Sequence, residues 1–216
     1  MVKTILLNKG VFEDNGKEAE ALREKLKEEK TFLVNVMSSP GAGKTTTLIS
    51  LIKRLSPHYR IGVMEADIDS DVDAVKVAEE AGCASVQLHT GGMCHLDAAM
   101  TAQGLFSLGK GFDLVFLENV GNLVCPAEYD TGAHLNMTIL SVPEGDDKPL
   151  KYPLIYQTSD LAVINKTDAL PYFNFDMAKC KERIAFRNPR ATVIPVSAKT
   201  GENMDALADY FREILG

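Results

Sequence analysis

The sequence predicts an α/β domain: a mostly parallel central sheet flanked by helices, in three layers. Two patterns carry that prediction. Short β-rich runs alternate with longer helical stretches along the 216 residues, the order that successive βαβ units produce. Two of those runs, Leu114-Val115-Phe116-Leu117 and Leu161-Ala162-Val163-Ile164, are apolar at every position, as strands covered on both faces are. Ligands of such a sheet bind at the carboxyl ends of its strands.

Taken in order, residues 1–30 are expected to form a strand/helix extension packed on the domain, and residues 31–216 the domain itself. Ala19, Leu22 and Leu26 fall on one side of residues 16–30, among Lys, Glu and Arg. That spacing suits a surface helix packed along a narrow stripe. Strands are predicted at 32–37, 61–65, 85–89, 113–118, 138–142, 161–165 and 192–196. Helices are predicted at 44–55, 71–81, 94–108, 175–186 and 203–215. Residues 143–153, rich in Asp, Lys, Gly and Pro, are expected to be a long irregular surface loop, a kind of segment that is often functional.

Composition narrows the function. The chain is 45% hydrophobic and 25% charged, ordinary for a globular domain. It carries 23 basic and 30 acidic residues, a net charge of −7, and an acidic chain without a basic block is poorly suited to gripping nucleic acid. Its four cysteines are Cys83, Cys94, Cys125 and Cys180, too sparse for a disulfide framework and without a C-x-x-C pair. No apolar run approaches the length of a membrane span, and the first residues lack the pattern of a signal or transit peptide. A cytoplasmic protein with reduced thiols and no membrane partner is expected.

The most informative stretch follows the first buried strand: Ser38-Ser39-Pro40-Gly41-Ala42-Gly43-Lys44-Thr45. It matches a phosphate loop at its decisive end, Gly-Lys-Thr opening a helix, with Ser38 where the first glycine usually stands. Small residues let the backbone N–H groups of Gly41, Ala42 and Gly43 curl around phosphates, and the helix N-terminus, including Thr46, adds donors. Lys44 is placed to reach the β/γ oxygens and Thr45 to ligate Mg²⁺. The three-layer P-loop NTPase fold is therefore expected.

Asn165-Lys166-Thr167-Asp168 follows the predicted strand 161–165, and Ser197-Ala198-Lys199 follows 192–196. A carboxylate at Asp168 can accept from the ring N1–H and the exocyclic amine of guanine, whereas adenine would leave it unpaired, a strong basis for discrimination. The nucleotide is expected to be GTP or GDP rather than ATP. Asp67, just past the strand 61–65, and Glu118, at the end of the strand 113–118, are candidates for holding Mg²⁺ and its water, and the Gly121 N–H for contacting the γ-phosphate. Asp69, Asp71 and Asp73 are read instead as a solvated helix start. No catalytic Gln after Gly121 and no arginine finger is evident, so slow intrinsic turnover is expected.

Cys94-His95 and Cys125 both follow strands and are candidate ligands of Zn²⁺ or Ni²⁺. Residue type and spacing leave open whether the two cysteines ligate or are buried small hydrophobes. Cys83 and Cys180 read as packing residues, and His58, His89 and His134 as isolated.

Taken together, these segments closely resemble the HypB family, GTPases that help insert nickel into [NiFe]-hydrogenases. The matching pieces include the phosphate loop, Gly91-Gly92-Met93-Cys94-His95-Leu96-Asp97-Ala98, Glu118-Asn119-Val120-Gly121-Asn122-Leu123-Val124-Cys125-Pro126, Glu144-Gly145-Asp146-Asp147-Lys148-Pro149 and Asn165-Lys166-Thr167-Asp168. The resemblance implies a GTPase that dimerises on GTP, with a metal site at Cys94, His95 and Cys125 beside the switch. It also implies delivery of nickel to a nickel-binding maturation partner and the hydrogenase large subunit. The N-terminal cysteine cluster and the His-rich tract of some members are absent, so nickel storage is not expected, and Ala99 and Gln103 stand where some relatives place histidines, so a second interfacial metal ion is not expected either. A urease-type nickel GTPase and a metal scaffold whose oligomeric state is set by GTP are the alternatives.

Overall fold

A computed structural model describes residues 3–7, 15–67 and 72–216. In chain order the strands are β1 (Lys3–Leu6), β2 (Phe32–Ser38), β3 (Ile61–Asp67), β4 (Ala84–His89), β5 (Leu114–Glu118), β6 (Leu135–Ser141), β7 (Leu161–Asn165) and β8 (Thr192–Pro195). The helices are α1 (Asn15–Glu28), α2 (Lys44–Leu55), α3 (Val72–Ala81), α4 (Ala98–Leu108), α5 (Cys125–Glu128), α6 (Lys148–Lys151), α7 (Pro153–Gln157), α8 (Met177–Arg187) and α9 (Met204–Leu215). All eight strands join one sheet in the order β1-β4-β3-β5-β2-β6-β7-β8, and every pairing is parallel. The expected three-layer frame is thus present.

Strand alternation sorts the core into two faces. On one, Val34 and Val36 of β2 meet Leu48, Leu51 and Leu55 of α2 and Leu207 and Phe211 of α9. On the other, Leu33, Val115 and Leu117 lie under Leu22 and Leu26 of α1 and Met100 of α4. Further along that second face, Met37, Leu140 and Ile164 pack with Ile155 and Tyr156 of α7 and with Cys180 and Ile184 of α8. Ala19, Leu22 and Leu26 are the buried stripe of α1, and β1 completes the sheet beside β4.

The order places the site. The chain leaves β2 for β3, returns to β5 on one side of β2, and then crosses to β6 on its other side. That reversal opens a crevice at the carboxyl ends of β2, β5 and β6, where a doubly wound sheet receives its ligand. A row of buried and half-buried amides locks these three elements. Asn119 Nδ2 donates to Asn35 Oδ1 at 3.1 Å, Asn35 Nδ2 to Asn136 Oδ1 at 3.0 Å, and Asn136 Nδ2 to the Thr158 carbonyl at 3.2 Å.

Three expectations are corrected. The helix expected from Cys94 begins at Ala98, because Asp97 is its N-cap and accepts the Met100 N–H at 2.8 Å; Cys94 and His95 stand in the loop before it. Residues 143–153 are not one irregular loop: a 3-10 turn (Val142–Glu144), α6 and α7 occupy them. Each of those turns carries a proline in its first turn, where the missing N–H costs nothing and the fixed φ favours a helix start. Strand β6 begins at Leu135, earlier than expected, because Asn136 interrupts the apolar run yet belongs to the amide row. Asp69 and Asp71, read as a helix start, lie outside the described residues.

At the opposite end of the sheet, His134 is tied to β2: its Nδ1 accepts the Leu33 N–H at 3.0 Å and its ring stacks on Phe32 at 5.0 Å. Burial holds its imidazole below the ordinary value, so the folded state favours the neutral ring. The unfolded chain therefore binds the proton first as pH falls. The contribution is whole above about pH 6.5 and is lost on acidification towards the depressed folded value. His134→Asn keeps an acceptor for Leu33 without a titrating ring. Thermal midpoints measured from about pH 7 to about pH 5 are expected to fall more steeply for the parent than for the variant; parallel curves would refute this assignment.

Candidate functional site

The loop between β2 and α2 is shaped by its neighbours. Gly43 has φ 96°, and a β-carbon there would lie 2.6 Å from Asn165 Nδ2, so both conformation and space require glycine. Asn165 spans two loops: its Nδ2 donates to the Ala42 carbonyl at 3.0 Å, and its Oδ1 accepts the Ala198 N–H at 3.1 Å. Lys166 Nζ donates to the Gly41 carbonyl at 2.6 Å. These bonds use the loop's carbonyls and not its N–H groups, of which Ala42 makes a long 3.4 Å bond to the Ser39 carbonyl, an arrangement compatible with a phosphate cradle. Asp168 is aimed by Ser197, whose Oγ donates to its Oδ1 at 2.7 Å. The expected base-side residues Asn165, Lys166, Asp168, Ser197 and Ala198 are therefore brought to one rim with the loop.

At the head of α2, Lys44 Nζ lies 3.2 Å from Ser38 Oγ and 3.9 Å from Glu118 Oε1, and Thr45 Oγ1 donates to Glu118 Oε1 at 3.1 Å. Asp67 is the last residue of β3 and lines one small cavity with Lys44, Glu118 and Gly121. A fifth residue of that cavity has no counterpart among the sequence-based candidates. Glu65 is 3% exposed, lines the same cavity, and stands in register opposite Glu118, which is 4% exposed. A carboxylate inside an otherwise apolar strand was the available signal, since burying such a group is costly without a cation or donors nearby. Two carboxylates side by side with the Thr45 hydroxyl form a hard-oxygen set whose chemistry fits Mg²⁺.

Gly121 presses on the phosphate loop from outside: a β-carbon there would lie 3.1–3.2 Å from Pro40. Four residues on is Cys125, and its sulfur is the partner of Cys94. The neighbouring Cys125 thiol, then burial, pushes the Cys94 thiol up, as interaction with a second titrating group does. His95 Nδ1 lies 4.0 Å from Cys94 Sγ, and its ring stacks on Tyr129 at 3.7 Å with the planes 9° apart. The two expected cysteines are thus brought together with His95 at their edge. Among the described residues no three such side chains are assembled as a ready metal-binding group. Tyr129 was not anticipated; an aromatic four residues after Cys125 gave no pattern of its own. Cys180 is fully buried and Cys83 packs at the core edge. Burial pushes their thiols up to about 12 and about 11, which suits packing rather than reactivity.

Because the neighbouring sulfur is the first cause of the raised Cys94 thiol, Cys125→Ala is expected to speed its reaction. Alkylation of Cys94 by iodoacetamide at about pH 8, followed by mass spectrometry, should run several-fold faster in the variant. An unchanged rate would mean that the two sulfurs do not interact.

Residues 32–195 match the family model for the CobW/HypB/UreG nucleotide-binding domain. The chain is 47% identical over 175 residues to a hydrogenase maturation factor HypB of Azotobacter chroococcum, covering 80% of this chain and 57% of that relative. A hydrogenase/urease maturation factor HypB of Helicobacter hepaticus is 38% identical over 216 residues, 98% of this chain and 88% of the relative. A crystal structure of HypB from Helicobacter pylori in complex with nickel superimposes with a TM-score of 0.87 at 35% identity, over 94% of this chain and 95% of that one. With the sheet order, the loop and the rim all in place, the chain belongs to the HypB group of the CobW/HypB/UreG family.

Proposed function

We propose that this chain is a GTPase that couples GTP binding and hydrolysis to the handing on of nickel during [NiFe]-hydrogenase maturation. One observation carries the reading. A single short segment, residues 118–125, begins with Glu118 on Thr45, continues through Gly121 on Pro40, and ends with Cys125 on Cys94. Whatever fills the phosphate loop and whatever sits on the cysteines press on the same eight residues. Further support comes from the Helicobacter pylori relative, whose structure is described as a complex with nickel.

Each residue has a role in this reading. The N–H groups of Gly41, Ala42, Gly43 and Thr46 hold the phosphates. Lys44 balances the β/γ charge, and Asp168 with the Ser197-Ala198-Lys199 loop selects guanine. Thr45, Asp67 and Glu118 hold Mg²⁺, which when bound neutralises charge developing on the phosphates. The Gly121 N–H contacts the γ-phosphate and Asp67 orients water for in-line attack on its phosphorus, which breaks the bond to the β-phosphate oxygen and yields GDP and phosphate. Cys94, Cys125 and His95 take nickel as cargo, and two thiolates with an imidazole also accept Zn²⁺. GTP favours a homodimer that completes the metal set, the cytoplasm is the compartment, and a nickel-binding maturation protein and the hydrogenase large subunit are the partners. Residues 1–30 form the extension and residues 31–216 the GTPase.

Coupling of this kind is reciprocal: nucleotide changes metal affinity by the factor that metal changes nucleotide affinity. Nickel affinity, measured by competition with a chromophoric chelator, is expected to differ about fivefold or more between the GDP and GTP-analogue states. In Cys125→Ala it should fall by at least about tenfold in every state. Equal affinities in all nucleotide states of the parent would contradict the reading.

A further inference from the structure

Glu144-Gly145-Asp146-Asp147-Lys148-Pro149 is part of the resemblance, yet none of its residues has a role in the site as described so far. The structure gives the first of them two tasks. Glu144 Oε2 closes a capping box on its own 3-10 turn, accepting the Ser141 N–H and the Ser141 hydroxyl, each at 2.8 Å. Its other oxygen, Oε1, accepts the hydroxyl of Ser39, 105 residues away in the phosphate loop. Capping needs only one carboxylate oxygen, so the bond to Ser39 serves something else.

The base that carries Glu144 is itself anchored. Two residues on, Asp146 pairs with the Arg183 guanidinium and accepts the Asp176 N–H at 2.7 Å. Its carbonyl takes a second bond from Arg183 at 2.9 Å. The turn is therefore fixed to α8, and Glu144 holds Ser39 from a rigid mount. At the next residue Gly121 abuts Pro40. The first half of the phosphate loop is therefore contacted by both a carboxylate and a glycine.

We propose that Glu144 is a positioning residue for nucleotide binding: through Ser39 it holds the loop in its phosphate-receiving shape. The inference rests on the reading of the site as a guanine-nucleotide site. A loop of small residues has much backbone freedom to lose, and fixing it beforehand removes that cost from binding. The carboxylate acts through the Ser39 side chain and takes none of the loop's backbone N–H groups.

A double-mutant cycle with a fluorescent N-methylanthraniloyl GDP tests this. Ser39→Ala and Glu144→Ala are each expected to weaken binding by about tenfold, as loss of a charge-assisted hydrogen bond does. The double variant should be no weaker than either single one, since both remove the same bond. Glu144→Gln keeps an acceptor for Ser39 and should stay within about threefold of the parent. Ser141→Ala loosens only the turn, so it should lower the melting midpoint and leave the affinity alone. If Glu144→Ala does not fold, the Ser39→Ala and Glu144→Gln pair still decides. Single losses that multiply in the double variant, or Ser39→Ala binding as the parent does, would overturn the proposal. A parent that binds no guanine nucleotide would overturn the reading of the site along with it.

Discussion

The contact between Pro40 and Gly121 is the constraint on which the rest of the site depends. A β-carbon at Gly121 would lie 3.1–3.2 Å from Pro40, tighter than ordinary contact, so the turn after β5 and the loop after β2 approach closely. Interiors and interfaces packed this closely switch between discrete arrangements rather than deform smoothly. A ligand that reshapes one side of the contact must therefore displace the other. Cys125 lies four residues beyond that contact, and its sulfur lies against Cys94.

The sheet beneath supplies the rigidity that such a contact needs. Strand β2 runs between β5 and β6, and the amide row from Asn119 through Asn35 to Asn136 ties the three together at their interior. Asn119 and Asn35 are 0% and 1% exposed, and buried amides stay in place only when fully bonded. At the end of the row the Asn119 N–H donates to the Val36 carbonyl and its side chain takes the Val120 N–H, which fixes the start of the turn that follows. Glu144 and Asn165 then hold the phosphate loop from two further directions. With Lys166 on the Gly41 carbonyl, four neighbours grip the loop, through two carbonyls, a hydroxyl and a proline, and none through a backbone N–H.

Much of this was legible in the sequence where periodicity and local chemistry agree. Strands 61–65 and 161–165 are apolar enough to mark themselves, and Gly43-Lys44-Thr45 marks both a loop and the start of α2. The misreadings share a cause: residues whose local and tertiary roles diverge. Prolines 143, 149 and 153 look like breakers in a polar stretch but sit in first turns, where they start helices. Asn136 looks like the end of an apolar run but pairs inside the sheet. Asp97 looks like helix interior but caps α4, and that cap is why Cys94 and His95 stand in a loop facing Cys125 and Tyr129. Glu65 and the Ser39–Glu144 bond depend on strand register and on a contact across 105 residues, which no local pattern encodes.

The central claim is that the state of the phosphate loop reaches Cys125 through residues 119–124. Backbone hydrogen exchange, followed by mass spectrometry with and without a non-hydrolysable GTP analogue, tests it most directly. Slower exchange is predicted both at residues 38–46 and at residues 119–125, with the edge around His134 unchanged. Protection confined to residues 38–46, with 119–125 exchanging as before, would contradict the account.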